Sequence, residues 1–120
     1  MTRKNAHPKP KMIPKPWGHE ILWAQTKTYM GKFLVIKKGH RLSLQYHKKK
    51  HETIYTLRGK WRLVLGRKKS IQSPGSVTVI PPRTVHRFEA SYGRVTLIEV
   101  STPGLLDIVR LQDDYKRRTN

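Results

Sequence analysis

The chain has 120 residues, 36% of them apolar, with 8 Gly, 8 Pro and no Cys, a length that fits one domain around a single core. No apolar run approaches the roughly 18 residues of a membrane-spanning helix, and the basic start lacks a signal peptide's apolar stretch, so a cytoplasmic domain without membrane contact is expected. Lys and Arg total 26 against 7 Asp and Glu, a formal charge of +19 that predicts attraction to phosphates, anionic metabolites and, weakly and non-specifically, polyanions. The absence of cysteine excludes a disulfide framework and any thiolate metal site, so a metal must take nitrogen and oxygen ligands.

Residues 1–15 (MTRKNAHPKPKMIPK) carry five basic residues, three prolines and no acid, and they read as an extended flexible arm. From Pro16 to the C-terminus the pattern is β, and residues 16–120 read as one domain. The expected strands are Ile21–Trp23, Tyr29–Ile36, Leu42–Tyr46, Thr53–Leu57, Trp61–Leu65, Ser76–Ile80, Val85–Phe88 and Val95–Val100. Each is short and rich in β-branched and aromatic residues, and Gly- or Pro-containing turns such as Lys38-Gly39, Arg58-Gly59 and Pro81-Pro82 separate them. Leu105 to Tyr115 fits either a last edge strand or a short helix. About eight strands at roughly ten-residue spacing predict an all-β sandwich or barrel, with a jelly roll as its natural closure.

Chemistry concentrates in Gly39 to Gly59. Alternation along a strand puts Gln45 and His47 on one face, and the loop of Lys48 to His51 returns Glu52 beside them. About thirty residues later a strand and a Pro-Pro turn lead into His86. If both hairpins face one interior, Gln45, His47, Glu52 and His86 converge. Two imidazoles, a carboxylate and an amide oxygen suit one Zn, Mn, Fe, Co or Ni ion with positions left open. Spacing alone does not carry this reading, because a histidine on a strand is more often hydrogen-bonded or solvated than a ligand.

Gly39-x5-Gln45-x-His47-x4-Glu52-x6-Gly59 resembles the first cupin motif, with Gln45 in place of its first His. Gly75-x5-Pro81-x-Arg83-x2-His86 resembles the second, with Arg83 in place of a Gly that usually takes positive φ. The chain further resembles the cupin domain of type II mannose-6-phosphate isomerases, in Pro16-Trp17-Gly18, Arg41-Leu-Ser-Leu-Gln45-x-His47, Ile80-Pro81-Pro82 and Asp107-Ile-Val-Arg110-Leu-x-Asp113-Asp-Tyr115. The resemblance implies a cupin double-stranded β-helix with one divalent metal on Gln45, His47, Glu52 and His86. It implies an aldose–ketose isomerase acting on a sugar phosphate, and a homodimer built on edge strands. The alternative is a metal-containing cupin that binds a sugar or anionic metabolite without turnover.

Lys50, Arg83 and Arg110, basic and beside the motif positions, are the expected substrate phosphate contacts, with Lys50 and Arg110 also expected to serve catalysis. His51, a carboxylate such as Glu20 or Glu99, or a metal-bound hydroxide is left as the base once Glu52 and the two His are ligands. Lys50 stands where the family has an Arg, a change that gives up planar bidentate contact. The runs Lys48-Lys49-Lys50, Arg67-Lys68-Lys69 and Lys116-Arg117-Arg118 read as solvated loop charge. Trp17, Trp23, Trp61, Tyr46 and Tyr55 read as core.

Overall fold

The computed structural model describes residues 6–103 and 107–117, arranged as eleven strands. These are β1 (Lys11–Lys15), β2 (Gly18–Gln25), β3 (Met30–Ile36), β4 (Leu44–His47), β5 (Glu52–Arg58), β6 (Trp61–Leu65), β7 (Lys68–Gln72), β8 (Val77–Ile80), β9 (His86–Glu89), β10 (Val95–Ser101) and β11 (Ile108–Gln112). Every pairing is antiparallel, and two sheets result, ordered β1-β2-β3-β10-β5-β8 and β11-β4-β9-β6-β7. This is the expected jelly roll. No helix among the described residues is long and apolar enough to cross a membrane.

The alternation seen in the sequence becomes an inside and an outside. Leu34, Ile36, Ile54, Ile80 and Leu97 line the inner face of the six-stranded sheet, and Trp61, Leu63 and Phe88 answer from the other sheet. Trp61 meets Phe88 edge-on with ring centroids 5.2 Å apart, the arrangement aromatic quadrupoles favour. Its indole N–H donates to Thr56 Oγ1 at 2.8 Å, so the ring is buried without an orphaned donor. Trp17 is buried as well, whereas Trp23 and Tyr55 are exposed on the outer face of the six-stranded sheet.

Two strands depart from the sequence reading. Lys11–Lys15, read as the end of the flexible arm, pairs along its length with β2. It is an edge strand, where Pro14 needs no donor, and Ile13 and Lys15 reach the central cavity. Lys68 and Lys69, read as loop charge, lie in β7, which pairs with β6 across the turn at Gly66-Arg67. With a single large apolar residue, Ile71, β7 had no alternation to reveal it, and its lysines are what an unprotected edge requires. The tail is the edge strand β11; Leu105 lies outside the described residues.

Glycine is required where Gly59 turns between β5 and β6. Its φ is +88°, and a Cβ there would drive into the Arg94 carbonyl. Arg83 takes the same left-handed region, with φ of 61°, in the turn where the resembled motif has Gly. Its N–H donates to the His47 carbonyl at 2.7 Å, which ties that turn to β4.

Two outcomes follow. Arg83→Gly raises stability by about 1 kcal/mol, because a side chain in the left-handed region costs about that much; urea unfolding measures it. Truncation before Lys11 leaves the melting temperature nearly unchanged, whereas truncation through Lys15 lowers it by several degrees by baring β2.

Candidate metal centre

Register brings the site together. Gln45 and His86 are direct partners across β4 and β9, so their side chains share a face. Two residues further along β4, His47 shares that face, and Glu52 opens β5 after the four-residue loop. All four side chains are buried. One nitrogen from each imidazole and one Glu52 oxygen lie within 4.8 Å of one another, and His47 Nε2 is 3.3 Å from Glu52 Oε2. Ligands bonded at 2.0–2.2 Å to one tetrahedral ion stand about 3.3–3.6 Å apart.

The hydrogen bonds behind the histidines fix which nitrogen faces inward. His86 Nδ1 is 2.8 Å from the Thr84 carbonyl and His47 Nδ1 is 3.1 Å from Asp107 Oδ1. Both partners are acceptors, so each neutral ring carries its proton on Nδ1 and turns the Nε2 lone pair into the site. Among the described residues no protein group satisfies His86 Nε2 or Glu52 Oε2 by hydrogen bonding. Buried polar atoms without partners are rare, and here they converge as a metal would need. The donor set fits a divalent ion. Gln45 is in place with its amide oxygen accepting from Ser43 Oγ and its nitrogen 3.4 Å from His47 Nε2; turning the amide over would present the oxygen instead.

Charge inside the barrel is arranged in pairs. Lys50 Nζ is 2.7 Å from Glu99 Oε2 and 3.8 Å from Glu52 Oε2, and Lys32 Nζ is 3.2 Å from Glu20 Oε2. Burial and the neighbouring Glu99 push the Glu52 carboxyl well above the usual carboxylate range, with Lys50 opposing. Burial would raise Glu99 too, but Lys50 and Lys32 outweigh it and hold it below that range. Burial works against Lys50's charge, and Glu99 and Glu52 overcome it. Desolvation lowers both imidazoles, His47 with help from Lys50 and His86 to about 4.

A cavity of about 300 Å³ opens over this centre. Gln45, His47, Glu52, Lys50 and Glu99 line its depth, Trp17, Leu34 and Phe88 its apolar wall, and Lys15, Arg110 and Arg117 also border it. Of the residues expected to contact substrate, Lys50 and Arg110 are in this lining. Lys50 is engaged by Glu99, so its charge is already offset. Arg83 is exposed in its turn and outside the lining, as is His51, whose backbone N–H donates to Thr102 Oγ1. His51 ends the loop before β5 and is exposed.

Asp107 is the functional residue the sequence reading missed. Besides orienting His47, its Oδ2 accepts from the Lys49 and Lys50 N–H groups, each at 2.9 Å. Its carboxyl is opposed by burial but held below its ordinary range by those donors and His47. It lay within the quoted Asp107 to Tyr115 match without a role; nothing local to it signals that its partner stands sixty residues away.

Comparison with known proteins shows the family and the fold. The family described as mannose-6-phosphate isomerase C-terminal matches residues 2–113. The chain belongs to that family. It is 27% identical to mannose-1-phosphate guanylyltransferase RfbM of Salmonella typhimurium over 113 residues, covering 91% of this chain and 24% of that protein. It is 32% identical to the alginate biosynthesis protein AlgA of Pseudomonas aeruginosa over 110 residues, covering 88% and 23%. The chain thus spans about a quarter of the length of these curated relatives. Among solved structures it is similar to KdgF from Halomonas sp., with a TM-score of 0.72, 21% identity and coverage of 83% and 90%. An RmlC-like cupin from Shewanella frigidimarina superposes with a TM-score of 0.73 at 14% identity, covering 80% and 86%. The fold is the cupin fold.

Metal affinity is expected to fall as pH is lowered, and the competing proton sits on Glu52 before either imidazole takes one up. Calorimetric titration in buffers of different ionisation enthalpy reads the release of up to about one proton near neutrality. In the metal-free protein the sign is opposite for stability. The folded state keeps the Glu52 proton at pH values where the unfolded chain has lost it, so stability falls as pH rises through that window. Asp107→Asn leaves all four inward groups in place, yet weakens metal binding about 10- to 100-fold by releasing His47.

Proposed function

We propose that this chain is a metal-dependent cupin that interconverts mannose 6-phosphate and fructose 6-phosphate. One observation carries the reading: the inward lone pairs of His47, Glu52 and His86 meet below a cavity bordered by Lys15, Arg110 and Arg117. The family match and relatives named for mannose phosphates favour that substrate class. A bound divalent ion supplies a Lewis acid for the sugar oxygens.

The protein's own groups divide the remaining work. Arg110, with Lys15, holds the phosphate through charge-assisted hydrogen bonds; Arg117 borders them but is paired with Asp113 at 2.8 Å. Trp17 and Phe88 give the ring an apolar wall. Glu20 is the carboxylate left to move the proton, since Glu52 is a ligand and Glu99 is locked to Lys50. It takes the proton from C2 as the C1 carbonyl becomes an enediol, and returns it to C1 as C2–O becomes the carbonyl; the O2 proton passes to O1. Such phosphorylated substrates suit the cytoplasmic setting expected from composition.

A binding module without turnover is the second reading. What favours it is that Glu20 is itself paired with Lys32 at 3.2 Å, which restrains it as a base. Proton exchange separates the two readings more sensitively than net conversion. In D₂O the metal-loaded protein should place deuterium at C2 of mannose 6-phosphate, read by NMR. Glu20→Gln should slow that exchange at least about 100-fold with binding kept. Arg110→Ala should raise KM about tenfold or more. Binding without exchange would leave only the module.

A homodimer also belongs to this proposal, through a sheet face and not through the edge-strand pairing that the resemblance implies. The outer face of the six-stranded sheet presents Trp23, Tyr55, Val77, Val79 and Val100, all exposed. In register they form rows free of charge, Val77-Tyr55-Ile98-Phe33-Ile21 and Val79-Thr53-Val100-Gly31. Val79→Lys on that face should convert the dimer to a monomer in sedimentation analysis.

A further inference from the structure

The strand directions gather three loops at one end of the barrel, residues 37–43, 58–60 and 90–94. Residues 37–40 read KKGH, 58–60 read RGK and 90–94 read ASYGR, with five cations and no acid. They are neighbours in space. Val95 pairs with Ile36, which sets Arg94 beside Lys37, and Gly59 packs against the Arg94 carbonyl. Lys37, Lys38, Arg58, Lys60 and Arg94 are all exposed, and none forms an ion pair among the described residues. The acid nearest in sequence, Glu89, is already held between Arg41 and Arg62.

This end also has shape. A concavity of about 360 Å³ is lined by Gly18, His19, Val35, Lys37, Lys38 and Arg94. At the adjoining loop Tyr92 is 49% exposed, and Lys60 Nζ stands 4.7 Å from its ring centroid. Five cations on three loops exceed what one phosphate group takes up, whereas a chain of phosphates meets them in succession. An exposed aromatic among them offers a base a surface to stack on.

We infer that this end of the barrel binds single-stranded nucleic acid, without sequence preference, through its phosphate backbone. The inference is separate from the isomerase reading and uses none of its residues. Binding draws on counterion release, so it weakens steeply with salt. Sulfated polysaccharide lacks a base to stack and is the competing outcome.

Fluorescence anisotropy with a labelled oligothymidylate of about 15 nucleotides tests it. The full chain should bind with a micromolar Kd at about 50 mM salt. Lys37→Glu/Lys38→Glu/Arg94→Glu should weaken binding at least tenfold and lower the log–log salt slope by about 2. A control of equal charge change, Lys27→Glu/Arg67→Glu/Lys68→Glu, alters turns at the other end and should stay within about threefold. Tyr92→Ala should weaken binding about fivefold or more. If the triple variant melts early, Arg58→Glu/Lys60→Glu makes the same test on a different loop. Equal losses in patch and control variants would reduce the effect to overall charge and overturn the proposal. No binding at low salt would overturn it, as would heparin binding that depends on the patch while oligothymidylate binding does not.

Discussion

The Lys50–Glu99 ion pair is what allows this barrel to hold a polar centre. Five side chains that ionise readily, Glu20, Lys32, Lys50, Glu52 and Glu99, line one cavity, where each charge on its own would be prohibitive. Lys50 Nζ lies 2.7 Å from Glu99 and 3.8 Å from Glu52, so it offsets the Glu99 charge and opposes the rise in the Glu52 carboxyl. Removing one partner of such a pair costs about 3–5 kcal/mol because the other is left buried and uncompensated. Lys50 therefore cannot be separated into a structural and a functional residue. Any variant that removes its charge also disturbs Glu52, and through Glu52 the metal centre.

Asp107 performs the corresponding task for the chain path. The loop of Lys48 to Lys50 has no regular partner strand, and its N–H groups at 49 and 50 are satisfied by one carboxylate oxygen. The other oxygen holds His47. One side chain thus couples the conformation of the β4–β5 loop to the tautomer of a metal-facing imidazole. It acts from the segment leading into β11, so docking of that edge strand is a condition for assembling the centre.

The inward-facing side chains of the candidate site were legible because alternation is a local property. Gln45, His47 and Glu52 sit on strands whose parity can be counted, whereas Lys50 and His51 lie in the loop between them, where parity does not apply. Lys50 was singled out in the sequence as a phosphate contact, but its pairing with Glu99 was not foreseen. What could not be read locally is register across the sheets. Glu99 pairs with Lys32 and Ile54, and Asp107 meets His47 across sixty residues, so neither contact follows from spacing in one chain. The edge strands β1 and β7 escaped for the opposite reason. Their exposure removes the apolar pattern that identifies central strands, and only backbone pairing reveals them.

The same economy of acids explains the surface. Six of the seven carboxylates pair with Lys or Arg and the seventh, Asp107, is taken up by His47 and two backbone N–H groups, so few are left to neutralise the cations outside. The exposed charge is therefore almost wholly positive, and the charge-free face of the six-stranded sheet is where two copies can approach with least repulsion. On the two proposals made above, salt should act on these surfaces with opposite signs. Screening weakens attraction between the basic end and phosphates, while it relieves the self-repulsion that opposes pairing of two strongly basic chains. Association through the apolar face should strengthen over the same rise in ionic strength that releases nucleic acid, and that opposition separates the two surfaces without any substitution.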